Sequence, residues 1–230
     1  SEFGVAGQER LKAAKVLVVG GGGLGSAASL YLAATGVGTL ALVDFDKVDL
    51  SNLQRQVLYG SADIGRSKAL RGQARLQELN PDISIVAHDC EVTAGNVMDL
   101  IRPYHLVVDG TDRLSTRYQV NDACVLQRKM LVSAAIHRFE GLTPNCAEAG
   151  VLGVLPGILG TVQATEAIKL LAGFGEPLIG RLLTVDALTM RFDEFKVTRR
   201  ADCAVCGDQP TIRAPQESAA PVCSADQRAR

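Results

Sequence analysis

The chain has 230 residues, of which 47% are hydrophobic and 21% charged, and its formal net charge is −1. This composition is typical of one sizeable globular domain and gives no support for a nucleic-acid-binding surface. The longest apolar run, at 151–160, is too short to cross a bilayer, so no membrane partner is expected. We expect a cytoplasmic protein, because no signal-peptide pattern is visible and six irregularly spaced cysteines do not indicate a disulfide scaffold.

In chain order, short strands and helices alternate through the first half. A helix is expected at 5–14 and a strand at 15–20, followed by a glycine-rich turn. The further elements expected are helices at 26–36, 67–80, 94–101 and 115–127 and strands at 39–44, 83–87, 106–109 and 131–135. Nearly unbroken apolar strands joined by helices predict a Rossmann-like α/β fold, with a doubly wound, mostly parallel sheet.

The second half has a different pattern. A helix is expected at 161–173, and two strands within 181–197 are expected to extend the sheet with an antiparallel hairpin. We predict a single domain over 1–207, divided into halves at 1–135 and 136–207. The remainder, 208–230, is rich in Pro, Ala, Ser and charge and is predicted to be a flexible tail or linker.

A glycine-rich turn follows the first predicted strand. Gly20, Gly22 and Gly25 fit the pattern G-x-G-x-x-G, with Gly23 inside it. Glycines let a backbone approach phosphates, and the helix that follows supplies unpaired N–H groups. Asp44 closes the next strand, 19 residues after Gly25, where a carboxylate binds ribose hydroxyls. A tight turn without a ligand is the alternative, and the pattern alone does not separate NAD from ATP.

The stretch VDFDKVDLSNLQRQ, at 43–56, places unusual polar chemistry next to this turn. It contains Asn52, Arg55 and Gln56, and Lys68 follows 13 residues after Arg55. One guanidinium and one ammonium near a phosphate turn suit a triphosphate, whose charge must be neutralised as a leaving group. The alternative is a solvated surface loop, which is common for any single charged side chain.

The segment VVDGTDR, at 107–113, ends a strand with two aspartates. Strands of such sheets meet their ligands at the carboxyl ends, and carboxylates bind Mg²⁺. Asp112 or Asp109 is therefore a candidate metal ligand. The alternative is a helix cap, supplied by Thr111 or Asp112.

Seven segments together resemble one family, the ubiquitin-activating-enzyme-like adenylyltransferases of the MoeB/ThiF (HesA) type, and in particular the molybdopterin-synthase adenylyltransferases. The resemblance covers about 4–207, and the LSNLQRQ block is its most specific part. The segments are, in order, GGGGLGS, DFDKVDLSNLQRQ, IGRSKA, DGTDR, NCAEAGVLGVLPGILG, QATEAIKLLAG and CAVCG.

The resemblance implies an ATP- and Mg²⁺-dependent enzyme. Such enzymes adenylylate the C-terminal Gly-Gly carboxylate of a ubiquitin-like sulfur-carrier protein, releasing pyrophosphate, in molybdopterin, thiamine or related sulfur transfer. It also implies a homodimer, a possible sulfurtransferase partner, a nucleotide-binding half at 1–135 and a carrier-docking half at 136–207. The same resemblance implies a role for each site residue. Phosphate is contacted by Gly20, Gly22, Gly23 and Gly25, and ribose is bound by Asp44. The triphosphate is bound by Asn52, Arg55, Gln56 and Lys68, and Asp112 lies near Mg²⁺.

Cysteines mark the points where the chain departs from the family pattern. Relatives carry a loop with a first C-x-x-C before the NCAEAG segment, whereas here 139–141 runs almost directly into it. Cys203 and Cys206 supply only half of a tetrahedral Cys₄ zinc site, and free thiols are the alternative. Cys146 lies where relatives carry a cysteine, and we assign it a supporting or carrier-transfer role, or else that of a small buried residue.

Two other functions compete with the adenylyltransferase. An NAD-dependent oxidoreductase would rest on the glycine pattern alone and would leave Arg55 and Lys68 unexplained. A non-catalytic relative that binds the carrier without activating it is opposed by the presence of Asp44, Arg55, Lys68 and Asp112 together.

Overall fold

The computed structural model describes residues 3–136 and 151–217. The helices and strands of the described residues alternate along the first half and then give way to one long helix and a hairpin. Helices are α1 (Gly4–Ala13), α2 (Gly23–Ala34), α3 (Lys68–Leu79), α4 (Val97–Ile101), α5 (Leu114–Gln127) and α6 (Val154–Ala172). Strands are β1 (Lys15–Val19), β2 (Thr39–Val43), β3 (Ser84–His88), β4 (Leu106–Asp109), β5 (Met130–Ser133), β6 (Arg181–Asp186) and β7 (Arg191–Lys196).

Five strands form a parallel sheet in the order β3-β2-β1-β4-β5. The chain moves outward from β1 to β3 and then returns to place β4 on the other side of β1. This reversal between β1 and β4 is the topological switch point, where ligands of doubly wound sheets bind beyond the carboxyl ends of the strands. The predicted α/β fold class is confirmed.

The core lies on both faces of this sheet, because successive side chains of a strand point to opposite faces. Val16 and Val18 of β1 pack with buried residues of α1, α2, α3 and α6. Leu17 and Val19 pack on the other face with buried residues of α4 and α5. Burial on both faces explains why these strands are apolar without alternation.

Helix α6 begins at Val154, seven residues before the start predicted from the sequence. Pro156 lies in its first turn, where the missing N–H has no partner to lose. Gly160 allows α6 to approach α2 closely, because a Cβ there would lie 2.5 Å from the carbonyl oxygen of Leu24. The predicted start was wrong because the proline and glycines resemble helix breakers.

Strands β6 and β7 pair antiparallel, as predicted, with Leu182 opposite Phe195. Within the described residues they form a separate two-stranded sheet, not an extension of the parallel one.

The segment after the hairpin has no regular secondary structure up to Glu217. The carboxylate of Glu217 accepts hydrogen bonds from the backbone N–H of Ala94, at 2.9 Å, and from the side chain of Gln119, at 3.0 Å. The domain boundary near 207 stays a prediction. Among the helices of the described residues, none has the length and hydropathy needed to cross a bilayer.

Candidate nucleotide-binding site

The glycine-rich turn joins β1 to α2 at the switch point. Gly20 has φ +87°, in the region that favours glycine, and its N–H donates to the carbonyl oxygen of Val43 at 2.8 Å. A Cβ on Gly25 would lie 1.8 Å from the carbonyl oxygen of Gly20. These two glycines are therefore required by the turn itself, whether or not a ligand is present.

Gly22 has a different role in the turn. It is the N-cap of α2, which has neither a side-chain cap nor an acidic residue in its first turn. A Cβ on Gly22 would enter nearly open space, since its nearest neighbour, Nε2 of Gln56, would be 4.0 Å away. Uncapped N–H groups and the positive end of the helix dipole thus face space that an anion can occupy.

Gln56 borders this space from the polar stretch. Only 4% of the residue is exposed, and its Oε1 is buried without a hydrogen-bond partner among the described residues. A buried amide oxygen without a partner costs stability. The Nε2 of the same amide borders the space at Gly22 and can donate a hydrogen bond to an anion there.

Asp44 follows β2 and closes the turn from its other side. Its Oδ2 accepts from the backbone N–H of Gly21 at 2.7 Å, and its Oδ1 accepts from that of Asp46 at 2.8 Å. Burial raises the pKa of Asp44, partly opposed by the charge of Lys68. The carboxylate predicted to bind ribose therefore also fixes the phosphate turn.

Lys68, at the start of α3, is held by a residue that was not singled out from the sequence. Its Nζ lies 3.0 Å from Oδ2 of Asp46, and its side chain is 6% exposed. A β-bridge between Lys47 and Ser67 brings the two segments together. In the sequence, Asp46 stands two residues after Asp44, which places both carboxylates close to the end of β2. The pairing of Asp46 with Lys68, 22 residues away, could not be read from the sequence because it depends on the fold.

Asn52 is the last residue of a 3₁₀ helix at Leu50–Asn52, and Arg55 lies in the turn that follows this helix. The Asp49 carboxylate caps this helix by accepting from the backbone N–H of Ser51 at 2.8 Å. The half-buried side chain of Arg55 donates through Nη1 to the carbonyl oxygen of Ser51 at 3.1 Å. The Arg55 carbonyl oxygen lies 3.5 Å from the Cβ position of Gly23, so this turn borders the glycine turn.

The two aspartates after β4 have different surroundings. Asp109 is buried, with 2% of the residue exposed. Its Oδ1 accepts hydrogen bonds from the backbone N–H and the hydroxyl of Thr111, at 3.0 and 2.7 Å. Its Oδ2 accepts a hydrogen bond from the Ser133 hydroxyl at 2.9 Å. Asp112 is exposed and makes no hydrogen bond or ion pair with the residues the structure describes. Asp109 thus organises the loop, and Asp112 is the carboxylate left available.

The loop that carries Asp112 contacts the phosphate turn through Gly110. A Cβ on Gly110 would lie 2.9 Å from the backbone nitrogen of Gly25. The structure therefore groups the glycine turn with Asp44, Gln56 and the 109–112 loop, and it places Lys68 beside Asp46 at the end of β2. The roles of these residues in binding stay predictions.

The cysteine predictions have different outcomes. Hydrogen bonds from the backbone N–H groups of Cys206 and Val205 lower the pKa of the Cys203 thiol. Across 3–136 and 151–217, however, no three potential ligands from His, Cys, Asp and Glu come together, so these two thiols do not complete a zinc site. Cys146 lies outside the described residues.

Comparison with known proteins identifies the family. The ThiF family model matches residues 1–143 and 139–205. The sulfur carrier protein adenylyltransferase of Thermus thermophilus is 46% identical, with 92% of this chain and 89% of the relative covered. The probable adenylyltransferase/sulfurtransferase MoeZ of Mycobacterium tuberculosis is 47% identical, covering 86% of this chain but 58% of the relative. The adenylyltransferase and sulfurtransferase MOCS3 of Mus musculus is 46% identical, covering 92% and 51%.

The match to one relative shows a difference in length from this chain. The match to the Thermus relative spans 241 positions, more than the 230 residues of this chain, so that relative has positions with no counterpart here. The two segments of the family match overlap at 139–143, close to the point where a first C-x-x-C is expected from the family pattern.

Solved structures agree on the fold. The crystal structure of Escherichia coli MccB with ATP has a TM-score of 0.78 at 23% identity, covering 88% of this chain and 69% of MccB. The relatives' names agree with the predicted enzyme class, a nucleotidyltransferase. The resemblance inferred from the motifs is confirmed, and the chain belongs to the ThiF family.

Proposed function

We propose that this protein adenylylates the C-terminal Gly-Gly carboxylate of a ubiquitin-like sulfur-carrier protein, with ATP as the second substrate. The names of the Thermus, MoeZ and MOCS3 relatives support this activity. One structural observation carries it: open space at Gly22 lies between an uncapped helix N-terminus and the side-chain amide nitrogen of Gln56. That arrangement suits a phosphate chain.

The proposed reaction needs no protein base. The carrier carboxylate is ionised at neutral pH, and one of its oxygens attacks the α-phosphorus of ATP. A new bond forms between that oxygen and the α-phosphorus, while the bond from the α-phosphorus to the bridging oxygen breaks. Pyrophosphate leaves with the electron pair, and an acyl-adenylate remains. Catalysis therefore consists of alignment and neutralisation of charge.

The site residues have separate proposed tasks. The glycine turn receives phosphate, Asp44 accepts hydrogen bonds from ribose hydroxyls, and Gln56 contacts the phosphate chain. Asn52, Arg55 and Lys68 neutralise or bind the departing pyrophosphate. Lys68 is paired with Asp46, and a bound nucleotide would give its ammonium a second anionic partner.

Asp112 is the proposed ligand for Mg²⁺. Its exposed carboxylate has no polar partner among the described residues and follows the loop that contacts the glycine turn. This fits a hard cation, which prefers carboxylate and phosphate oxygens. When bound, Mg²⁺ neutralises phosphate charge. Two thiols do not fit a Cys₄ zinc site, and no step is assigned to zinc. The mechanism also needs no thiol nucleophile, so the role of Cys146 stays a prediction.

The hairpin β6–β7 is a proposed docking surface for the carrier within the half at 136–207. Leu182 and Phe195 are directly opposite each other, and each is about half exposed. Apolar side chains on an open two-stranded sheet suit a partner that adds strands or packs against it. The sulfurtransferase partner and the molybdopterin or thiamine pathway are likewise proposals, supported by the relatives' printed names only in part.

A homodimer is proposed from an apolar groove of about 600 Å³ that lies between α2, α6 and neighbouring loops. Tyr31 and Val57, which line it, are 55% and 60% exposed. Sedimentation velocity of the parent and of Tyr31→Glu tests this: a dimeric parent and a dissociated variant are expected.

The activity is tested by exchange of labelled pyrophosphate into ATP, with Mg²⁺ and purified carriers from the molybdopterin and thiamine pathways assayed in parallel. Exchange is expected only with the cognate carrier. Asp112→Asn should abolish it, while Asp99→Asn, an exposed surface change, should not. If no carrier supports exchange by a protein that binds ATP, the proposal is wrong. Binding of NAD in preference to ATP would favour the oxidoreductase instead.

A further inference from the structure

The guanidinium of Arg117, on α5, lies between the loops that follow β4 and β5. Its Nε and Nη2 both donate to the carbonyl oxygen of Thr111, at 3.0 and 2.7 Å. Nη2 also donates to the carbonyl oxygen of Ala134, and Nη1 donates to the Ser133 hydroxyl at 3.4 Å. One side chain therefore ties together two loops at the carboxyl edge of the sheet.

The same guanidinium faces the buried carboxylate of Asp109. Nη1 lies 3.6 Å from Oδ2, with the two side chains 18% and 2% exposed. A planar guanidinium can serve all these acceptors at once, because its five N–H groups are fixed in a fork. A lysine ammonium would keep the charge next to Asp109 but could not reproduce that geometry.

The loop that Arg117 holds leads directly to Asp112. Gly110 is fixed on one side, where its N–H donates to the carbonyl oxygen of Val19 at 2.9 Å and its Cα lies against Gly25 of the phosphate turn. Thr111 is fixed next, by Asp109 and Arg117. Asp112 follows without a polar partner among the described residues. Its position relative to the phosphate turn is therefore set by its neighbours.

We propose that Arg117 is a positioning residue for the adenylylation reaction, and that it acts through Asp112. This inference rests on the proposed function and deepens it. Arg117 itself contacts protein acceptors and is assigned no contact with substrate. Its task is to keep the Asp112 carboxylate aimed at the metal that accompanies ATP, since small displacements of a catalytic group are costly to rate.

The kinetic signature separates positioning from binding. In Arg117→Lys, kcat for carrier-dependent pyrophosphate exchange is expected to fall about tenfold or more, because a misplaced ligand lowers transition-state stabilisation. The KM for ATP should rise by no more than the loss in metal affinity described below, because the glycine turn, Asp44 and Lys68 are untouched. A kcat equal to that of the parent, with or without a raised KM, would overturn the proposal.

A double-mutant cycle tests whether Arg117 acts through Asp112. Mn²⁺ replaces Mg²⁺, and its affinity in the presence of ATP is measured from the electron paramagnetic resonance signal of free Mn²⁺. Arg117→Lys is expected to weaken Mn²⁺ binding about tenfold in the parent, the usual effect of losing a residue that orients a metal ligand. In the Asp112→Asn background the same change should have no further effect. A full, additive loss in that background would mean an independent structural role.

Controls keep the outcomes distinct. Arg102→Gln removes an arginine that pairs with Asp99 at the surface, and it should leave both readouts at the parental value. If Arg117→Lys does not fold, Ser133→Ala replaces it in the cycle, with a smaller loss expected in the same pattern. If the parent binds Mn²⁺ and ATP but exchanges no pyrophosphate, the proposed function is refuted. The double-mutant cycle then still tests whether Arg117 positions Asp112 for metal binding. A parent that binds neither would refute both.

Discussion

Lys68 and Asp46 are joined twice, through their side chains and through their backbones. Nζ of Lys68 lies 3.0 Å from Oδ2 of Asp46, and the backbone N–H of Lys68 donates to the carbonyl oxygen of Asp46 at 2.9 Å. The lysine side chain is 6% exposed and the aspartate 50%. An ammonium buried to this degree needs a counter-charge, because removing it from water is costly. Asp46 supplies that charge.

Asp46→Asn should therefore have opposite effects on stability and binding. The free energy of unfolding is expected to fall by about 1.5 kcal/mol, the lower end of the range for a hydrogen bond to a charged group, because the Asp46 side chain is half exposed. ATP should bind more tightly, because Lys68 is no longer shared with a protein carboxylate. Urea unfolding and ATP titration with Mg²⁺ measure the two effects. Asp99→Asn, in an exposed pair with Arg102, should change stability by less than about 0.5 kcal/mol. A variant as stable as the parent would contradict this role of Asp46.

Two glycines of the phosphate turn should respond differently to alanine. Gly22→Ala is expected to fold with nearly parental stability, because its φ of −69° suits any residue and its Cβ would enter open space. ATP affinity should nevertheless fall about tenfold or more, because the methyl group occupies the approach of the phosphates. Gly25→Ala should instead destabilise the fold by several kcal/mol, on the order of other severe steric changes. Thermal unfolding and ATP titration distinguish the two. Unchanged ATP binding by Gly22→Ala would place the phosphates elsewhere.

Asp63 provides a pH-dependent contribution to stability. Its Oδ2 accepts from the backbone N–H of Gly60 at 2.9 Å and its Oδ1 from Nε of Arg71 at 2.5 Å, and these contacts lower its pKa. A carboxyl group whose pKa is lower in the folded protein stabilises the fold above its unfolded pKa of about 3.9. That stabilisation is lost as the pH falls through the folded pKa.

Asp63→Asn should thus be less stable than the parent at pH 7, and the difference should shrink below about pH 4. Urea unfolding at several pH values measures it. Glu78→Gln is the control, because Glu78 is 68% exposed and its contact with Arg75 is long, at 3.8 Å. A difference between Asp63→Asn and the parent that stays constant from pH 7 to pH 3 would show that the charge of Asp63 is not involved.

Sequence patterns predicted the parts of this fold that depend on local periodicity and on the position of each strand end. Apolar strands, the glycine turn and Asp44 are of this kind, because the carboxyl ends of parallel strands meet at one edge. The pairing of Asp46 with Lys68 was not predictable in this way, because it needs two distant segments to meet. Arg117 was missed for a related reason: an arginine within a helix usually indicates a solvated face. The residues alone left the choice between Asp109 and Asp112 open, and the family resemblance favoured Asp112. The burial of Asp109 and the exposure of Asp112 agree with that expectation.

The amide of Gln56 gives the most direct test of the nucleotide site. Its Oε1 is buried without a partner within 3–136 and 151–217, and such a group costs about 1–3 kcal/mol. Methionine has a similar length and no hydrogen-bonding requirement of the same strength. Gln56→Met should therefore be at least as stable as the parent in the absence of nucleotide. ATP affinity should fall about tenfold, because the Nε2 that borders the space at Gly22 is lost and with it one hydrogen bond donated to a charged ligand.

A matched glutamine shows the opposite pattern. Gln77, half-buried on α3, donates to the carbonyl oxygens of Pro81 and Ile83 at 3.1 and 3.3 Å. Gln77→Met should lower stability by about 1 kcal/mol, because it removes hydrogen bonds that are made within the protein. It should leave ATP affinity unchanged. Urea unfolding and ATP titration of both variants decide the matter: if Gln56→Met behaves like Gln77→Met, the Gln56 amide supports the fold and contacts no nucleotide.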